Sequence, residues 1–314
     1  MPTGIRTNLP VALTGATGFV GRHILDRLLA AGYSVRALVR TPAKLQVRAE
    51  GLEIVQGGLS DQEALRKLVA DTASVIHCAG LIRGVTRTQF DAVNAMAAGT
   101  IAAAARDAGV GRFMLISSLA AREPELSPYS ASKRRGEEAV AAAAESVGVT
   151  VLRPPAVYGP GDREMLALFR LMARGIAPVF GSIDARFSLI HVADLADAVL
   201  VWQSAGVTIS EPVELDDGQP NGYGWPEVCE IVSSLTGRTV RPLRIPASLL
   251  ALPAAFNTAA GILPGFDPMF SLGKLRELRH PNWVCRSITA TAIPGWAPRL
   301  RLAEGLLQTP GWRD

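Results

Sequence analysis

The stretch VALTGATGFVG, from Val11 to Gly21, decides the fold. Val11 to Thr14 is a short apolar run, glycines follow at once, and Val20, Ile24, Leu25, Leu28 and Leu29 then recur at helical spacing. A glycine motif is informative in that setting, between a strand and a helix. Gly15 suits a sharp turn, Gly18 lets the backbone approach a pyrophosphate, and Gly21 permits close helix packing. The unpaired amides of the helix's first turn attract phosphate charge. The alternative is a structural turn that binds nothing.

Working outward, Gly32 closes the first helix and Ser34 to Arg40 alternates as a second strand. Ser60 with Glu63 forms a capping-box signature opening a helix through Val69, and Val75 to Ala79 is the next strand. A long alanine-rich helix follows near Thr88 to Ala108, then a strand at Arg112 to Ser117, a helix near Pro128 to Val147 and a strand at Thr150 to Arg153. Strands alternating with helices predict an α/β protein, a doubly wound parallel Rossmann sheet covered on both faces. Beyond Pro154 the elements become irregular, which suggests a smaller C-terminal substrate lobe. The expected division is residues 1–160, completed by parts of 185–220, for the dinucleotide-binding domain, with 161–184 and 221–314 forming the lobe.

A second constellation is YSASK, which places Tyr129 and Lys133 at i and i+4 on one face of a helix. An ammonium beside a phenol favours the phenolate and would draw its pKa down from about 10, so that it exchanges a proton with a substrate oxygen near neutral pH. Ser117 and Ser118 end the preceding strand at its carboxyl edge, where open α/β sheets place ligands. Ser118 is the expected partner of the reacting oxygen, with Ser117 as second choice. At the end of the second strand stand Arg40 and then Lys44, where a carboxylate would select NAD. Two cations there favour NADP over NAD.

The 314 residues are 48% hydrophobic and 19% charged, which excludes disorder for most of the chain. The net charge of +4 is spread over scattered arginines, with no basic run suited to nucleic acid. Cys78, Cys229 and Cys285 are far apart, which argues against a disulfide framework and a zinc site, and fits a reducing cytoplasm. The N-terminus lacks a signal-peptide apolar core. Residues 245 to 266 carry no charge but are broken by prolines, so they read as a buried lid rather than a membrane span.

The glycine turn, YSASK and the strand end ISS together resemble the extended short-chain dehydrogenase/reductase family, which includes sugar-nucleotide epimerases and 3β-hydroxysteroid-dehydrogenase-like reductases. HCAG at His77 to Gly80, VNAMAAGT at Val93 to Thr100, RPPAVYGPGD at Arg153 to Asp162 and FSLIHVADLADAV at Phe187 to Val199 extend the resemblance in the family's order. The resemblance implies Tyr129 as general acid or base, Lys133 on the nicotinamide ribose, Ser118 orienting the substrate and Asn94 supporting the site. It also implies that Gly15, Thr17, Gly18, Phe19 and Val20 meet the pyrophosphate and Leu59 the adenine. Ala79 and Gly80 would lie on the ribose side, and Pro154 with Val157 at the nicotinamide end. Three departures stand out: Gly58 where relatives carry aspartate, a short loop from Ser118 to Tyr129, and Ala156 where sugar-nucleotide members have asparagine. RPPAVYGP looks more like the steroid and dihydroflavonol reductase branch.

His191 adjoins Asp194, a plausible helix cap, so it reads as a structural histidine, and His77 reads as strand core. The tryptophans Trp225, Trp283, Trp296 and Trp312 take packing as their default role. The stretch from Leu249 to Phe266 is a candidate cover for a greasy substrate. Alanines at 102 to 105 and 139 to 144 lie on the helices that pair in dimers of similar proteins, so a homodimer is expected. The leading function is hydride transfer between a nicotinamide cofactor and a carbonyl or hydroxyl group on a small or lipophilic substrate. The alternatives are a sugar-nucleotide epimerase/dehydratase and a cofactor-binding structural subunit of a respiratory complex.

Overall fold

The computed structural model describes residues 9–45, 47–84, 86–246, 249–250, 254–257, 271–286 and 293–314. The expectation of no leader sequence, and most of the expected lid, lie outside these residues.

The first strand, β1 (Val11–Thr14), is buried throughout and sits inside the main sheet. It pairs in parallel with β2 (Val35–Val39) on one side and β4 (Ser74–His77) on the other. β2 carries β3 (Leu52–Gln56) at the edge, while β4 is followed by β5 (Arg112–Ile116), β6 (Gly148–Arg153) and β11 (Val213–Glu214). The resulting order, β11-β6-β5-β4-β1-β2-β3, reverses direction between β1 and β4. Such a switch opens a crevice at the carboxyl ends of the strands.

Alternation along the strands feeds two cores. Val11 and Leu13 join Ile24, Leu25 and Leu28 of α1 (Phe19–Ala30) and Leu195, Val199 and Trp202 of α7 (Val192–Ala205). Ala12, Val75, Phe113 and Val151 face the opposite way, onto α2 (Gln62–Val69), α4 (Ala97–Asp107) and α5 (Pro128–Ala143). Each large side chain fully buried this way contributes about 1.5–3 kcal/mol. Gly99 brings α4 against α5, since a Cβ there would stand 3.3 Å from that of Ala139. Several of the alanines on these helices thus serve packing inside the chain.

A third core lies beyond the sheet. It gathers Tyr158 of β7 (Ala156–Tyr158), Phe169 and Met172 of α6 (Glu164–Ala173) and Val228 and Val232 of α8 (Trp225–Thr236). Leu302 and Leu306, from the last helix, and Trp312 complete it. Short sheets frame this region: β7 with β10 (Leu189–His191), β8 (Ile176–Val179) with β13 (Arg241–Arg244), and β9 (Arg186–Phe187) with β12 (Tyr223–Gly224) and β14 (Asn282–Trp283).

Several local expectations change. β3 is an edge strand in which only Val55 is buried, so it lacks the apolar alternation by which strands are read. The cap of α2 is Asp61, which accepts from the amide of Ala64 at 3.0 Å, and Glu63 instead pairs with Lys67 at 2.7 Å. The helix expected to reach Val147 stops at Ala143. His191 itself caps α7, through Nδ1 to the amide of Ala193 at 3.3 Å, and Asp194 turns inward to accept from the amides of Arg299 and Leu300. Within the expected buried lid, Leu249 and Phe256 are 67% and 72% exposed. A short amphipathic segment leaves one side uncovered even when uncharged.

Candidate active site

The glycine turn closes with the amide of Gly18 donating to the carbonyl of Gly15 at 2.9 Å. Gly15 has φ +79°, and a Cβ on it would lie 2.7 Å from the amide of Ala79. At Gly21, the third residue of α1, a Cβ would lie 2.1 Å from the Gly15 carbonyl oxygen, so only glycine fits there. No side chain caps α1 and no acidic residue occupies its first turn, leaving its amides and positive dipole end for an anion. Thr17 and Gly18 are exposed on that open side. The chain therefore fits a dinucleotide pyrophosphate at this turn.

Neighbouring segments are tied to the turn. Thr14 Oγ1 lies 2.8 Å from Nδ1 of His77 and accepts from the amide of Ala79 at 3.2 Å, holding the ends of β1 and β4 level. Burial lowers the His77 pKa to about 3, so this histidine is a neutral strap in the core. Phe19 packs at Gly161, and His23 Nε2 contacts the carbonyl oxygen of Pro160 at 2.8 Å. Val157 packs on the first core, whereas Pro154 is buried and accepts from the amide of Leu119 at 2.9 Å. On the far side, Arg40 and Lys44 are exposed and form no ion pair among the described residues. Gly58 stands beside the Arg40 stem, with Leu59 packed on the second core.

Ser117 and Ser118 have opposite environments. Ser117 donates to Glu137 at 2.5 Å, and Glu137 in turn holds Arg153 through two contacts of 2.9 and 2.6 Å. This buried assembly joins β5, β6 and α5, so Ser117 is committed to the fold. Ser118, half-exposed, begins the turn at Leu119–Arg122 and is hydrogen-bonded to Tyr129.

Tyr129 and Lys133 lie on α5 as the spacing predicts. Lys133 is buried and donates to the carbonyl oxygen of Ile116, at the end of β5, at 3.1 Å. Burial lowers its pKa to about 8 against the opposing pull of Cys78 and Glu137. Asn94 sits in a single π turn, Ala92–Met96, that interrupts the alanine-rich helix between α3 (Arg87–Asp91) and α4. Such turns recur at functional sites. The Asn94 side chain accepts from the amide of Leu81 at 2.7 Å and donates to the Leu81 carbonyl and to Ser132, both at 2.9 Å. Gly136 makes room for the Asn94 carbonyl, from which a Cβ would be only 2.1 Å away. Gly80 lies against both Asn94 and Lys133.

The expected depression of the tyrosine pKa by Lys133 does not occur. Burial raises the Tyr129 pKa, the Ser118 hydrogen bond lowers it, Glu277 raises it, Lys274 lowers it and Glu164 raises it. Lys133 is turned to the strand end, and the cation acting on the phenol is Lys274, distant in the chain. Lys274 and Glu277 lie on α9 (Leu272–Arg279), and Glu164 opens α6 and pairs with Arg83 at 3.3 Å. None of these four carries a local motif, so only packing reveals them.

The strand order and the open, uncapped glycine turn are those of a dinucleotide-binding α/β fold. The model of the NAD dependent epimerase/dehydratase family matches residues 11–211, and the chain belongs to that family, within the extended short-chain dehydrogenase/reductases. It is 41% identical to ceramide reductase of Caulobacter vibrioides over 304 residues, covering 96% of this chain and 93% of that one. It is 31% identical to UDP-glucose 4-epimerase of Vibrio cholerae over 216 residues, covering 60% and 65%. Its fold is similar to that of UDP-glucuronic acid 4-epimerase from Bacillus cereus, solved in complex with NAD, at a TM-score of 0.71 and 18% identity over 96% and 97% of the two chains. Among the described residues, no helix is long and apolar enough to cross a membrane.

Proposed function

We propose that this protein is an NADPH-preferring reductase that converts a ketone on a lipophilic substrate into a secondary alcohol. The observation that supports this reading is that Ser118 is hydrogen-bonded to Tyr129 while Lys133 reaches the Ile116 carbonyl at the carboxyl end of β5. When bound, the nicotinamide supplies a hydride to the carbonyl carbon. Tyr129 gives its phenolic proton to the carbonyl oxygen, and its raised proton affinity keeps that proton available at neutral pH. Ser118 holds the same oxygen, and Lys133 holds the ribose. Asn94 fixes the loop that leads from Gly80, with Ala79, along the ribose side.

Gly15, Thr17, Gly18, Phe19 and Val20 are assigned to the pyrophosphate, Leu59 to the adenine, and Pro154 with Val157 to the nicotinamide end. Arg40, with Lys44, is assigned to the extra phosphate of NADP. The dinucleotide domain is assigned to 1–160 with parts of 185–220, and the substrate lobe to 161–184 with 221–314.

The likeness to ceramide reductase, with the exposed Leu249 and Phe256, favours a long-chain N-acyl amino ketone, the carbonyl form of a ceramide. Incubation with that ketone and NADPH should give the alcohol, heavier by two hydrogens, with one NADPH consumed per product. Y129F should lower the rate by about 100- to 10,000-fold while the circular dichroism spectrum is unchanged. An unimpaired Y129F would overturn the catalytic assignment. Turnover of a nucleotide-sugar without net cofactor consumption would select the epimerase reading. A homodimer through α4 and α5 belongs to the same proposal, and a sedimentation mass of one chain would reject it.

A further inference from the structure

The first turn of the catalytic helix is bound to the C-terminal lobe through one carboxylate. α9 starts at Ser271, whose hydroxyl accepts from the amide of Lys274 at 3.2 Å. Glycine at 273 lets it approach α5, since a Cβ there would stand 2.9 Å from Cβ of Ser127 and 3.1 Å from Cδ of Pro128. Across this contact the hydroxyls of Ser127 and Ser130 both donate to Oε1 of Glu277, the latter at 3.3 Å. Ser127 is also the cap of α5, accepting from the amide of Ser130 at 2.9 Å. The second carboxylate oxygen takes Nζ of Lys274 at 3.3 Å, and the indole N–H of Trp283 donates to the Glu277 carbonyl at 2.8 Å.

A carboxylate only 6% exposed is thus bound to the two serines that flank Tyr129 in the chain, and it holds an ammonium on its other side. Burying a carboxylate is costly unless it is hydrogen-bonded and paired, and Glu277 is both, with its partners beside Tyr129 in the chain. We propose that Glu277 is a positioning residue for Tyr129, and that Lys274, held by Glu277, is the cation that faces the phenol from the C-terminal lobe. The proposal rests on the catalytic reading of Tyr129 and adds that the proton donor is tuned by both lobes.

Tyr129 is touched by Ser118 from the end of β5 and by Phe90 edge-on from α3, and the charges that act on it are Glu164 of α6, with its partner Arg83, and Lys274 and Glu277 of α9. Lys133 lies on its own helix. Lys274 lowers the proton affinity of the phenol, and Glu277 and Glu164 raise it. The reciprocal effect is visible at Lys274, where burial opposes the charge but Glu277, Tyr129 and Glu164 outweigh it and raise its pKa.

Opposite charges on one helix, α9, predict opposite shifts, which a scaffold role does not produce. Tyr129 ionisation is read on the intact protein by ultraviolet difference titration of tyrosinate, each variant against the same variant carrying Y129F. K274M should move the Tyr129 titration up by about one pH unit, E277Q should move it down by a similar amount, and K274R should restore the wild-type value. The high-pH limb of NADPH-dependent reduction should move in the same directions. Titrations unmoved in both K274M and E277Q would overturn the proposal, and if E277Q does not fold, K274M against K274R decides alone. A Y129F enzyme that keeps full activity would instead refute the catalytic reading beneath it, a separable result because the titration needs no substrate.

Discussion

The two ends of the crevice are built on different principles. The glycine end is one continuous stretch, Gly15 to Gly21, in which backbone meets backbone: Gly15 against Ala79, Gly21 against the Gly15 carbonyl. The chemical end is assembled from Ser118, the helix with Tyr129 and Lys133, the π turn with Asn94, and α9 with Lys274 and Glu277. The first depends on shape, and at Gly15 and Gly21 it leaves no room for a Cβ. The second depends on which charges and hydroxyls face each other, and there a burial or a turned side chain reverses an expectation. Steric demands are local, whereas proton affinity is a property of the whole surroundings.

Removing Glu137 would break the chemical end most severely. E137A leaves the Arg153 guanidinium buried without its bidentate partner and should cost about 3–5 kcal/mol in urea denaturation. Ser117 loses its acceptor in the same variant. Stability near wild type would mean that Arg153 finds another partner and that the assembly under Ser118 is dispensable.

The glycine end is tested by separating stability from binding. G21A should destabilise by about 1–3 kcal/mol, because its methyl would overlap the Gly15 carbonyl. G18A meets nothing closer than 3.2 Å and has ordinary dihedrals, so it should stay within about 1 kcal/mol of wild type yet bind NADPH more weakly. Equal melting temperatures for both variants would remove the distinction between packing glycine and ligand-facing glycine.

Lys133 offers a pH test of how deeply the chemical end is buried. In the folded chain it releases its proton at about 8, against an ordinary 10.5 when unfolded. Between those values the unfolded chain binds the extra proton, so stability should rise with pH across that window. The contribution is at most about 1.4 kcal/mol per pH unit, and K133M should lose it. A wild-type slope equal to that of K133M would show that Lys133 is solvated.

The smallest effect is expected at Arg40, which is exposed and therefore screened. R40A should reduce the preference for NADPH over NADH by about threefold to tenfold, measured as a ratio of dissociation constants. A wild-type protein that binds NADH more tightly would refute the assignment of this cation to the phosphate.

Much of the fold was legible because its signals are short-range: a strand, a turn that needs glycine, and a helix follow one another within Val11 to Ala30. The Tyr129–Lys133 spacing is equally local, since helical geometry alone puts both residues on one face. The edge strand β3 was not legible, because a strand with one buried residue carries no alternation. Caps were displaced along the chain, by one position from Ser60 to Asp61 and by three from Asp194 to His191, where several polar residues compete for one helix start.

The sequence by itself determined the doubly wound sheet, the dinucleotide turn and the pair on α5, because chain connectivity brings those atoms together. Only the tertiary structure decided that Ser117 is bound to Glu137 while Ser118 is bound to Tyr129, that Lys133 points to Ile116, and that Glu277 holds Ser127 and Ser130. Those facts depend on distances between residues up to 150 positions apart and on the water they exclude. Neither is encoded in the order of neighbouring residues.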